Sequence, residues 1–199
     1  MNRDFAKEDR VYRILYTILS PFLKLFFRPT AVNFDKMPDG AAIICANHSD
    51  GWDPLIFLCS VGKDNNIRFM VKKEFEKFPL VGFVLKKMGE IFVDRKANDI
   101  KAIKDTLYNL KSGLKVFIFP EGTRTEADGS VDPKKGALKI AAKVKCPIVP
   151  VFIPRNKKLF SPVRIIMGEP YYVTAKTQEE FEAEATMLME KIFLLAEDN

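Results

Sequence analysis

The chain has a single histidine, and it stands in a run suited to proton transfer, Asn47-His48-Ser49-Asp50-Gly51-Trp52-Asp53-Pro54. A neutral imidazole takes a proton from an attacking hydroxyl, and a carboxylate on its other ring nitrogen fixes the tautomer and stabilises the imidazolium that forms. Five residues of separation, bent through a turn containing Gly51, let Asp53 reach back to His48, with Asp50 as the rival carboxylate. Asp53 before Pro54 equally fits a helix start, the aspartate as N-cap and the proline at the first helical position. A second run, Phe119-Pro120-Glu121-Gly122-Thr123-Arg124-Thr125, carries a different chemistry. The planar guanidinium of Arg124 offers donors in the geometry that phosphate accepts, and Gly122 lets the backbone approach a ligand closely. Glu121 is placed to orient that arginine through a salt bridge; the alternative is an ordinary turn with a structural ion pair.

Each run follows a short apolar segment, so the elements that must position them are buried strands. Strand candidates are 41–46 (AAIICA), 67–71 (IRFMV), 90–93 (EIFV), 115–119 (KVFIF), 148–153 (IVPVFI) and 163–167 (VRIIM). Helices are expected over 54–60, 79–88, 98–112, 136–144 and 177–196, the last opening with Thr177 and Glu180 in capping-box spacing. This alternation predicts an α/β fold, a central sheet that is mostly parallel or mixed, flanked by helices. Ligands bind at the carboxyl ends of strands in such sheets, where both runs lie.

Residues 11–27, VYRILYTILSPFLKLFF, are the most apolar stretch and carry Arg13, Pro21 and Lys24 inside. A bilayer-spanning helix needs about 20 mostly apolar residues, and this run is shorter and charged. No small-residue cleavage site follows it, which disfavours a signal peptide. It reads as one or two amphipathic helices in a membrane interface, basic side chains towards anionic headgroups and aromatic rings at the acyl boundary. A hydrophobic helix packed on its own domain is the alternative.

At 199 residues the chain suits one domain, and 17 Phe and 5 Tyr among its apolar residues supply a core, which argues against disorder. The three cysteines, Cys45, Cys59 and Cys146, sit singly in apolar runs without metal-ligand spacing, so they read as buried reduced packing residues, and no metal is expected. The net charge of +6 hides a polarity, because without the acidic residues 177–199 the chain holds 31 basic and 19 acidic residues. Such a surface attracts phosphates, on lipid headgroups or elsewhere. No recognition helix or stacking motif supports nucleic acid as the partner.

The two runs NHSDGWDP and FPEGTRT together resemble the glycerolipid acyltransferase family that includes the 1-acylglycerol-3-phosphate acyltransferases, and the likeness extends from about residue 32 to 168. Lys72-Lys73-Glu74, Pro79-Leu80-Val81-Gly82 and Gly89-Glu90-Ile91-Phe92-Val93-Asp94-Arg95 look like that family's middle block, in which the arginine is assigned to phosphate binding. Lys134-Lys135-Gly136-Ala137 and Ile148-Val149-Pro150-Val151 look like its later blocks, and Val149, Pro150 and Val151 fall in the part associated with the acyl chain. Two positions depart from the pattern: Asp50 stands where serine is frequent, and Pro133 where an aromatic is.

With the apolar run read as a membrane-interface segment over 1–28, the resemblance implies an acyltransferase domain over 29–199, at the cytoplasmic face of a membrane as a monotopic or peripheral protein. It implies that lysophosphatidic acid places its phosphate between Arg124 and Arg95 and its free hydroxyl near His48. Glu121, Gly122, Thr123 and Lys72 join the substrate-binding set, and the oxyanion is left to Lys72 or to backbone amides of the FPEGTR turn. The donor is a thioester of CoA or of acyl-carrier protein, no cofactor is needed, and transfer is direct. Glycerol-3-phosphate or another lysolipid as acceptor, or a non-catalytic lipid-binding module of the same fold, are the other readings.

Overall fold

The computed structural model describes residues 3–65, 67–95 and 99–198. In chain order the elements are α1 (Phe5–Phe27), β1 (Pro29–Val32), β2 (Ile43–Ala46), α2 (Asp53–Val61), β3 (Ile67–Lys72), α3 (Pro79–Lys87), β4 (Ile91–Val93), α4 (Ile100–Lys111), β5 (Lys115–Ile118), α5 (Gly136–Val144), β6 (Ile148–Phe152), β7 (Val163–Met167) and α6 (Gln178–Leu194). The strands form one sheet in the order β1-β7-β6-β2-β5-β3-β4. The neighbours from β6 to β4 pair in parallel, β7 is antiparallel to β6, and β1 is parallel to β7, so the sheet is mixed.

Strand β2 shows why the sheet must be covered twice. Ile43, Ile44, Cys45 and Ala46 form an unbroken apolar run, all fully buried, as a strand with helices on both faces requires. Ile44 and Ala46 pack into one core with α1, α2 and the end of α3; Ile43 and Cys45 pack into the other with α4, α5 and α6. All three cysteines are buried and free.

Every strand and helix expected after residue 29 is present with small shifts at its ends. Residue 98 of the expected helix start lies outside the described residues; Asp99 caps α4, its carboxylate accepting from the Ala102 amide at 2.9 Å. The Thr177–Glu180 capping box forms at α6. Strand β1 was not expected: it is four residues long, opens on Pro29 and lies at the sheet edge, and the first residue of an edge strand tolerates a missing amide donor. In α3, Gly82 is required by close approach, since a side chain there would meet the Phe75 carbonyl at 2.9 Å.

The amino-terminal stretch is one helix of 23 residues that continues through Pro21. Its inward face buries Tyr12, Leu23 and Phe27 in the core shared with α2. Near its start, Asp9 reaches the fully buried Arg68 at 2.7 Å and Glu8 reaches the same guanidinium at 3.4 Å. The outward face exposes Ile14, Ile18, Phe22 and Leu25. Thus α1 both packs on its own domain and keeps an unburied apolar stripe. No helix among the described residues is long and apolar enough to cross a membrane.

Candidate active site

Four neighbouring parallel strands, β2, β5, β3 and β4, end at one edge of the sheet. Their carboxyl ends deliver His48 just past β2, Phe119 just past β5, Lys72 at the end of β3 and Arg95 just past β4. With Gly51, Thr123 and Arg124, these residues line one cavity of about 330 Å³. Residues far apart in sequence thereby meet because the strands beneath them pair in register.

The histidine is held on every side. Its Nδ1 lies 2.8 Å from Asp53 Oδ2, which makes Nδ1 the protonated nitrogen beside an ionised carboxylate and leaves Nε2 to accept a proton. The ring stacks on Phe119 with centroids 3.8 Å apart and planes 13° off parallel. The His48 amide donates to Glu121 Oε2 at 2.6 Å, and the His48 carbonyl accepts from the Thr125 amide at 2.9 Å.

Asp53 is completely buried at the first residue of α2, and Pro54 follows it. Its carboxylate does not cap that helix; it turns back into the loop, where Oδ2 accepts from the Ser49 amide at 2.7 Å and the Asp50 amide at 2.9 Å. Lys157 Nζ lies 2.7 Å from Oδ1. Burial alone would raise the carboxyl pKa, but the hydrogen bond from His48 and the charge of Lys157 outweigh it and hold Asp53 below its ordinary value. Asp50, the rival carboxylate, is engaged otherwise: it accepts from the Trp52 amide at 2.7 Å and pairs with Lys157 at 2.9 Å.

The FPEGTR turn differs in one respect from expectation. Glu121 does not pair with Arg124; it is buried beneath the turn, holding the His48 amide, the Thr125 hydroxyl at 2.7 Å and, at 3.6 Å, Arg155. The reason is topological, because β2 and β5 are adjacent and the carboxylate finds an unpaired amide at the end of the neighbouring strand. Gly122 adopts a left-handed φ of +68°, a conformation that favours glycine. Arg124 is exposed at the cavity wall with its guanidinium beside Gly51. Arg95 lies across the same cavity. Burial lowers its pKa, Glu74 opposes that, and the nearby charge of Arg124 adds to the lowering. Two guanidinium groups that disfavour each other form a place for an anion.

Lys72 lines the cavity half-exposed, with Glu74 at 3.8 Å. Val149, Pro150 and Val151 are elsewhere: they are central, buried positions of β6, and Val149 and Val151 belong to the α1–α2 core. A second cavity of about 550 Å³ shares Met70, Arg95 and Phe119 with the first and is lined further by Ile103, Ile118 and Ile140.

Two residues absent from the reading of the sequence brace both turns. Arg155, after β6, donates to the Thr125 carbonyl at 2.5 Å and to its hydroxyl at 3.1 Å. Lys157, two residues on, reaches Ser49 Oγ at 2.8 Å as well as Asp50 and Asp53. Their signal was position: basic residues spaced by two after β6, the strand beside β2.

Comparison with known proteins identifies the family and the fold. An acyltransferase family model matches residues 28–154. The chain is 34% identical over 168 residues to the 1-acyl-sn-glycerol-3-phosphate acyltransferase of Bacillus subtilis (strain 168), covering 81% of this chain and 83% of that protein. It is 29% identical to the chloroplastic 1-acyl-sn-glycerol-3-phosphate acyltransferase BAT2 of Brassica napus over 74% of this chain, but spans about half, 46%, of that longer protein. The crystal structure of the 1-acyl-sn-glycerophosphate (LPA) acyltransferase PlsC from Thermotoga maritima superposes with a TM-score of 0.67 at 23% identity, covering 96% of this chain and 79% of the other. A family model over residues 28–154 and a relative 34% identical, of which 83% is covered, mean that the chain belongs to the acyltransferase family.

Proposed function

We propose that this protein transfers a fatty acyl group from a thioester to the free hydroxyl of 1-acyl-sn-glycerol-3-phosphate, giving phosphatidic acid. The observation that carries this reading is one cavity holding both a carboxylate-bound imidazole and two guanidinium groups. The names of the relatives point to the same acceptor. The acceptor phosphate sits between Arg95 and Arg124, which brings its hydroxyl to Nε2 of His48. His48 removes the hydroxyl proton as the oxygen attacks the thioester carbon, and the protonated ring then returns a proton to the departing thiolate.

General-base catalysis of this kind supplies roughly 10²–10⁴-fold. Positioning of two substrates and stabilisation of the tetrahedral oxyanion, by Lys72 or by amides of the FPEGTR turn, supply the rest. Transfer is direct. Ser49, the nearest hydroxyl in sequence, contacts Lys157 at 2.8 Å and Asp53 at 3.3 Å, so its oxygen is committed away from the imidazole. The apolar cavity beside Phe119 takes the acyl chain of the donor, an acyl-CoA or acyl-carrier protein, and no cofactor is needed. The exposed stripe of α1 rests in the interface at the cytoplasmic side of a membrane, where the acceptor is found.

The test is a purified assay of acyl transfer to lysophosphatidic acid, glycerol-3-phosphate and other lysolipids, each with both donors. Lysophosphatidic acid should be the preferred acceptor, and His48→Ala should bind lipid but not turn over. Preference for another acceptor corrects the substrate, whereas an active His48→Ala enzyme removes the mechanism. Acylated protein accumulating with donor alone would exclude direct transfer.

A further inference from the structure

We propose that Lys157 is a positioning residue for the acyl transfer described above: its ammonium neutralises Asp53 from the side away from His48, keeping the imidazole unprotonated and ready to accept. The proposal rests on that reading of His48 as the base. Lysine is almost never buried unless paired, and the Lys157 side chain is only 2% exposed. Its ammonium contacts Asp53 Oδ1 at 2.7 Å, Asp50 Oδ2 at 2.9 Å and Ser49 Oγ at 2.8 Å. Three contacts to one turn fill the three donors of an ammonium. None of them goes to the cavity where substrate binds.

A carboxylate beside a histidine does two things that conflict. It orients the ring and helps charge develop on it in the transition state, but it also stabilises the imidazolium in the resting enzyme, which cannot act as a base. A cation on the far oxygen weakens the carboxylate's pull on ring charge, so the free base persists to lower pH, while the hydrogen bond to Nδ1 that fixes tautomer and orientation stays intact. Asp53 divides its oxygens in this way: Oδ2 faces His48 and two amides, and Oδ1 faces Lys157. The other charged groups around the ring are Glu121 beneath it and Lys72, Arg95 and Arg124 across the cavity; none of them touches Asp53 Oδ1.

The test is the pH dependence of kcat/KM for Lys157→Met in the full chain, with lysophosphatidic acid and acyl-CoA. Removing the cation leaves the carboxylate uncompensated, so the acid limb should move to higher pH by about one unit, with partial recovery of rate on the alkaline side. Lys157→Arg, which keeps the charge, should restore the limb. Lys158→Met, an exposed neighbour, should leave both rate and limb unchanged. Thermal unfolding of each variant reports folding, and if Lys157→Met does not fold, Lys157→Gln carries the same expectation. A folded, charge-neutral variant whose acid limb stays in place overturns the proposal, because a bracing role alone lowers rate at every pH alike. Loss of the histidine-dependent limb in the unaltered protein would instead sink the assignment of His48.

Discussion

Asp53→Asn is the most informative single substitution, because it changes one carboxylate oxygen and leaves the volume alone. In the structure that carboxylate accepts from His48 Nδ1 and two amides and pairs with Lys157, all within 2.9 Å. An asparagine can accept on one side only. If its amide NH₂ faces His48, it stabilises the tautomer with the proton on Nε2, the wrong one for a base; in serine proteases the equivalent change costs about 10⁴-fold in kcat. If its carbonyl faces His48, the NH₂ meets Lys157, a donor against a buried cation. Leaving one member of a buried pair uncompensated costs about 3–5 kcal/mol. We therefore expect kcat to fall by about 10³–10⁴-fold with KM for the acceptor little changed, together with a lower melting temperature. Thiol release from acyl-CoA measures the first and circular dichroism the second. A folded Asp53→Asn enzyme within tenfold of full activity would refute the role of the carboxylate. The low pKa of Asp53 adds a stability term of known sign: it is present above the unfolded-state value near ~3.9 and lost as pH falls through the native value.

Three further outcomes follow from the same contacts. Arg124→Ala should raise KM for the phosphorylated acceptor by about 10–100-fold, as loss of a charge-assisted hydrogen bond implies, with kcat held; Arg124→Lys should rescue only in part because it lacks the fork, and an unchanged KM would remove Arg124 from the phosphate site. Glu90 is buried, accepts from the Phe69 amide, and burial pushes its pKa up to about 8. Its native state holds a proton that the unfolded chain gives up from about pH 4 upward, so stability declines as pH rises towards 8; Glu90→Gln should flatten that decline in urea denaturation, and an unaltered slope would refute the assignment. Ile18→Ser with Phe22→Ser, on the exposed face of α1, should weaken sedimentation with anionic vesicles without lowering the melting temperature; full vesicle binding would count against α1 as the membrane contact. Deleting residues 1–28 is a poorer test, because it strips Tyr12, Leu23 and Phe27 from the core and leaves Arg68 without Asp9.

The fold was legible where burial is two-sided. IICA, KVFIF and IVPVFI read as strands because a segment covered on both faces has no polar position to hide it. Strand β1 escaped because an edge strand of four residues behind a proline, PTAV, carries no such run. The direction of β7 escaped for a different reason: no local pattern in VRIIM distinguishes an antiparallel partner from a parallel one, and only the short link from β6, too short for a crossover helix, bears on it. The amino-terminal helix was ambiguous in sequence and is double-faced in structure, so both readings of its apolar content describe part of it.

The site was legible to the extent that it is local. His48 and Asp53 share one turn, so their spacing announced the pair, and Arg124 announced itself by the glycine-containing turn around it. Glu121 was assigned to the wrong partner because its true one, the His48 amide, lies 73 residues away. Arg155 and Lys157 were missed altogether because nothing in PRNKK marks them, whereas the sheet order does: β6 lies beside β2, and β2 beside β5. A loop leaving β6 therefore emerges next to the turns leaving those two strands, with alternate residues facing them. Any basic side chain at those positions meets the acidic groups that the two motifs bury, Glu121 in one and Asp53 in the other. In this sheet the third contributor to the two-motif site comes from the loop after the neighbouring strand β6, and its place follows from the strand order and the buried acids it meets.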